Sequence, residues 1–107
     1  MSKRLPKWIK NVVCEICAGY TSRLNAILWG EVKGGVKAEY ERINNIIDDS
    51  LREVFDNLGV QNIFRRDIAT RTGWQFSVAN EYFGRNTYKR RKAKAIYTIA
   101  KSLHLIA

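Results

Sequence analysis

Only two cysteines, one proline, one histidine and one methionine occur in 107 residues, and these scarcities close off several classes of answer. Cys14 and Cys17 are too few and too close in sequence for the disulfide framework of a secreted mini-protein, so a reducing cytoplasm is the expected compartment. As a lone C-x-x-C at helical spacing they would need two further ligands to hold zinc. The single His104, set among Leu103, Leu105 and Ile106, cannot complete such a site within one chain. The two thiols therefore read as small buried apolar residues, and His104 as structural. No apolar run approaches the roughly 18 to 20 residues that cross a bilayer, and the opening MSKRLPKWIK is basic without the apolar stretch of a secretory signal. There is no Gly-rich phosphate loop and no convergent His, Ser and Asp, while Asp48 and Asp49 fall on a charged helix face. The expectation is a protein with no enzymatic activity, cofactor, metal, membrane partner or evident small-molecule ligand.

Carboxylates are also in short supply. Ten Asp and Glu face 19 Lys and Arg, giving a net charge of +9 in a chain otherwise ordinary for one globular domain, with 46% hydrophobic and 27% charged residues. Residues 1–30 carry five basic and one acidic side chain, residues 31–60 four and seven, and residues 61–107 ten and two. The last block, at net +8, is the expected acidic-partner face, and nucleic acid is the commonest such partner.

Apolar residues recur at spacings of three and four over residues 5–28, and again over 36–58 from Val36 to Leu58, which predicts two amphipathic helices. In the second, Tyr40, Ile43, Ile47, Leu51 and Val54 form a near-heptad stripe that serves either the chain's own core or a homodimer seam. Shorter segments at 63–72, 75–85 and 87–103 follow, separated by Gly73 and by Gly84, Arg85 and Asn86, with Asn86 or Thr87 as the cap of the last. The predicted fold is a single all-α domain of about five helices. Residues 1–60 form an N-terminal helical pair for packing or dimerisation, and residues 61–107 carry the function.

Within that last part, RRDIATRTGWQFSVANEYFG places Ile68, Ala69, Gly73, Trp74, Ala79 and Tyr82 at the spacings of two short helices joined by a glycine turn. With those residues in place, the stretch resembles the helix-turn-helix of lac repressor and Cro-like regulators, and the basic-then-apolar 87–106 segment resembles the closing helix of the lac repressor headpiece. The resemblance covers about the last 45 residues. It departs from the family pattern at Trp74, Ala79 and Tyr82, where aliphatic residues are usual. It implies a C-terminal helix-turn-helix whose second helix enters the DNA major groove, with Gly73 supplying a positive φ at the turn.

In that register Gln75, Phe76, Ser77, Asn80 and Glu81 face the groove, as base-reading chemistry requires. Gln and Asn pair with adenine, Glu accepts from cytosine, and Phe packs on a thymine methyl. Arg65, Arg66, Arg71, Arg85, Tyr88, Lys89, Arg90, Arg91, Lys92 and Lys94 are the expected phosphate contacts. The expectation is a sequence-specific double-stranded DNA-binding protein, a small prokaryotic, phage or plasmid transcriptional regulator acting as a homodimer in the cytoplasm and associated with the nucleoid. A DNA-maintenance factor, an RNA binder and a protein adaptor with a basic tail are the alternatives.

Overall fold

The computed structural model describes residues 4–107, and every regular element among them is helical. The chain enters α1 (Lys7–Ala18) from Pro6, whose carbonyl accepts the Ile9 and Lys10 N–H groups. The continuous helix expected over 5–28 is instead interrupted at Gly19, beyond which α2 (Tyr20–Leu28) resumes. The cause is Arg23. Its guanidinium folds back to donate to the Ile16 carbonyl and, at 2.7 Å, to Asn44 Oδ1, while Asn44 Nδ2 donates to the Tyr20 carbonyl at 3.1 Å. A Cβ at residue 19 would come within 2.5 Å of Arg23 Nη1. Gly30 closes α2 in the left-handed region at φ 69°, where the Gly30 and Glu31 N–H groups reach the Ile27 and Ala26 carbonyls.

Next come α3 (Gly34–Val54), α4 (Leu58–Thr70) and α5 (Arg85–Ser102). The second helix, expected over 36–58, is shorter at its C-terminal end. It stops at Val54, and Asn57 starts a new helix by accepting the Val60 N–H at 3.1 Å, so Gly59 lies inside α4 rather than ending α3. Counting α1 and α2, broken only at Gly19, as one rod, the described residues form four helical rods where five helices were expected. The fifth, over 75–85, is two 3-10 turns, Trp74–Phe76 and Val78–Glu81. The last helix begins at Arg85 behind Gly84, with no side-chain cap from Asn86 or Thr87.

The core explains the α3 stripe. Ile47 and Leu51 are fully buried and Val54 nearly so, packed with Val13, Phe64, Ile68 and Ile99, and half-buried Ile43 rests against the same cluster. These positions are occupied by the chain's own core and are not a free dimer seam; Tyr40 is half-buried. Phe64 stands at the centre, its ring stacked on Phe55 at 4.3 Å and edge-on to Phe83 at 5.8 Å, with Tyr88 at 5.1 Å. Cys14 and Cys17 are both buried free thiols in this core.

Burial pushes the Cys17 thiol from its ordinary 9.0 up to about 12, with Cys14 adding to the shift and Arg23 and Arg65 opposing it. The folded chain thus keeps a proton that the unfolded chain sheds, so this contribution to stability is whole below pH 9 and is lost as pH rises toward 12. Stability should fall through that window by up to about 1.4 kcal/mol per pH unit for this one group. Urea unfolding of Cys17→Ala at several pH values should show a shallower decline than the native chain.

Candidate nucleic-acid interface

The segment expected to read DNA bases is shaped by side chains that compete with helical backbone bonds. Ser77 Oγ donates to Asp67 Oδ2 and accepts the Ala79 N–H at 3.0 Å, and Trp74 Nε1 donates to the Phe83 carbonyl at 2.8 Å. The backbone consequently closes i to i+3 bonds, such as Phe76 N–H to Gly73 and Asn80 N–H to Ser77. The left-handed residue of the preceding turn is Arg71, at φ 57°; Gly73 has a φ of −86° and is extended.

Of the five expected base readers, Gln75, Phe76, Asn80 and Glu81 are exposed and Ser77 is buried, tied to Asp67 and unable to reach a base. The inward set is Trp74, Ala79 and Phe83; Tyr82 points out, 69% exposed. Ser77→Ala should cost about 1–2 kcal/mol in thermal or urea unfolding because it leaves a buried carboxyl oxygen and an N–H short of a partner. Phe76→Ala and Asn80→Ala, both at exposed positions, should stay within about 0.5 kcal/mol of the native chain.

The ten expected phosphate contacts divide into three groups. Tyr88 and Arg65 are structural. The Tyr88 hydroxyl is buried and donates to Asp67 Oδ2 at 2.7 Å, with the Thr72 carbonyl 3.1 Å away. Burial first and Asp67 second hold that phenol well above the usual tyrosine range. Arg65 lies over the Tyr20 ring and pairs with Asp48 at 2.6 Å.

A second group converges on an open cleft of about 690 Å³ between α1 and α5, where Arg71, Lys89 and Lys92 meet Arg4, Lys7 and Lys10. Arg71 is held there by Asn11 at 2.9 Å and Glu15 at 3.1 Å, and Lys92 Nζ donates to the Thr72 carbonyl. Burial pulls the Lys92 ammonium below the usual lysine value; Asp67 opposes that shift and Lys10 reinforces it. The N-terminal cations were missed in the sequence, although KWIKNVVC at 7–14 and KRRKAKAI at 89–96 share one pattern. Each puts two lysines three apart on a face that turns apolar one helical turn later.

The third group is open to solvent: Arg66 on α4 and Arg85, Arg90, Arg91 and Lys94 on α5. Arg91 leans on the Val54 carbonyl at 3.5 Å. Arg90, Lys94, Tyr97 and Lys101, at spacings of four, three and four, share the α5 face opposite buried Tyr88, Ala95 and Ile99. No carboxylate occurs anywhere in α5, and none of its seven cations forms an ion pair among the described residues. The ion pairs found there engage Glu15, Glu39, Asp48 and Asp49, all outside α5.

The chain matches no protein-family model, no curated protein and no solved structure. Among the described residues no helix is long and apolar enough to cross a membrane, and no three His, Cys, Asp or Glu side chains gather as a metal would require.

Proposed function

We propose that this chain is a sequence-specific double-stranded DNA-binding protein, a small transcriptional regulator that presents the outward face of α5 to the duplex. The observation that carries the reading is the uncompensated cationic stripe of Arg90, Lys94 and Lys101 on an 18-residue helix without a single acid. Such a helix is about 27 Å long, enough to follow a groove and reach the phosphates on its walls. Lys and Arg there supply affinity without reading sequence.

Base reading falls to exposed polar side chains around the start of α5: Asn86 in its first turn, and Gln75, Asn80 and Glu81 on the 3-10 segment that precedes it in the chain. The helix-turn-helix resemblance enters in altered form, with α4 as the bracing helix, the 3-10 segment as an enlarged turn and α5 as the helix offered to DNA. A homodimer remains part of the reading, because one short element covers too few base pairs for tight specific binding. With the α3 stripe occupied, its surface falls to exposed Leu28, Trp29 and Val36 at the α2–α3 corner. Nucleoid association follows from DNA binding.

Selection of bound duplexes from a random pool tests the reading. It should enrich a short motif, palindromic if the protein binds as a dimer; a pool that emerges without enrichment would overturn sequence-specific recognition.

A further inference from the structure

The cleft between α1 and α5 is set apart from the outward stripe. Lys89 and Lys92 lie on the side of α5 that packs toward α1, whereas Arg90, Lys94 and Lys101 face away. At about 690 Å³ the cleft falls within the size range of small-molecule sites, roughly 300 to 1,000 Å³. Six cationic side chains line it, and no carboxylate does. Two of the six are fixed in advance, Arg71 by Asn11 and Glu15 and Lys92 by the Thr72 carbonyl, so a ligand would meet donors already ordered. Thr72 uses one of the three Lys92 donors, and the ammonium also lies 5.8 Å from the Tyr88 ring centroid, which fixes its place at the cleft. Burial chiefly, and Lys10 to a smaller extent, disfavour the Lys92 charge, and a bound anion would offset both. The lining is not wholly polar: Leu5, Cys14 and Ile96 give it an apolar part.

We propose that this cleft binds a small polyphosphorylated ligand with a flat or apolar moiety, of the nucleoside polyphosphate class. The phosphates lie among Lys7, Lys10, Arg71, Lys89 and Lys92, and the heterocycle rests on Leu5 and Ile96. The proposal does not depend on the DNA reading, since duplex and ligand would use different sides of α5.

Isothermal titration of the full chain with ATP, with sodium tripolyphosphate and with AMP tests it. ATP should bind saturably with a Kd below about 100 μM, tripolyphosphate and AMP each more weakly. Lys10→Ala/Lys89→Ala, at two exposed positions, should weaken ATP at least about tenfold, and Lys33→Ala/Lys37→Ala, which loses the same charge at the start of α3, should change it less than about twofold. Absence of saturable ATP binding, or equal loss in both double variants, overturns the site. Tripolyphosphate binding as tightly as ATP overturns the role of the apolar lining. Displacement of ATP by duplex DNA, together with loss of both by the cleft variant, makes the cleft a track for nucleic-acid backbone and overturns the small-ligand assignment.

Discussion

Asp67→Ala should be among the most destabilising single substitutions in this chain, lowering unfolding free energy by about 3–5 kcal/mol. Asp67 is nearly fully buried, and its Oδ2 accepts both the Ser77 and the Tyr88 hydroxyls. Truncation takes the acceptor from the buried Ser77 hydroxyl, leaves the Tyr88 hydroxyl only the Thr72 carbonyl, and removes the opposite charge that offsets the burial of Lys92. Networks of this kind fail together, because each orphaned group carries its full desolvation cost in a medium without water to replace the partner. At this chain length the loss corresponds to a fall in Tm of more than about 10 °C. The consequence extends past stability. Ser77 pins the 3-10 segment and Tyr88 the first turns of α5, so residues 73–84 should become the first site of proteolytic cutting in Asp67→Ala. Asp67→Asn, which keeps a carbonyl oxygen and loses the charge, should fall between the two. Unfolding of Asp67→Ala within about 0.5 kcal/mol of the native chain would show that the 3-10 segment is held by something else.

Reversing charge on the outward face of α5 should have the largest effect on binding. Arg90→Glu/Lys94→Glu replaces two attractive phosphate contacts with two repulsive ones and should weaken duplex affinity on the order of a hundredfold or more at physiological salt. The loss should be similar for every sequence, since phosphate contacts position the protein without reading bases. Both residues are exposed and outside the core, so thermal stability should stay near that of the native chain. Charge reversal of Lys33 and Lys37, which changes the net charge equally, should have a much smaller effect. Comparable losses from the two pairs would mean that net charge alone governs binding.

The parts of the fold legible in sequence were those where one force dominates. The three-and-four spacing of Ile43, Ile47, Leu51 and Val54 predicts a helix because its burial leaves the backbone no alternative. The same spacing could not say whether the stripe meets the chain's own core or a second copy, since both are apolar. Boundaries went astray where a single polar side chain decides them. Asn57 starts α4 and Arg23 bends the chain at Gly19, but neither stands out from the many Asn and Arg that only face solvent.

The largest departure, at 74–81, has the same origin. Trp74, Ala79 and a nearby glycine carry helix-turn-helix spacing, yet Ser77 is drawn inward by Asp67, ten residues earlier, and that bond leaves no trace in local periodicity. Arg71 rather than Gly73 takes the left-handed turn, supported by Asn11 and Glu15 from α1, contacts between residues about 60 apart in sequence. The candidate site was legible as charge and not as shape. Net charge marks the basic 61–107 region, but only folding sorts its cations into a half-buried ion pair at Arg65, a cleft and an outward stripe, and brings Lys7 and Lys10 to the cleft.

The most direct measurement of the central claim is the affinity for a duplex of fixed sequence as salt is raised, for the native chain and for Arg90→Ala/Lys94→Ala. If Arg85, Arg90, Lys94 and Lys101 meet phosphates, the logarithm of the binding constant should fall with the logarithm of salt at a slope of about −3 to −4. The double variant should reduce that slope by roughly two. A flat salt response in the native chain, or a slope left unchanged by the two substitutions, would contradict DNA binding through α5.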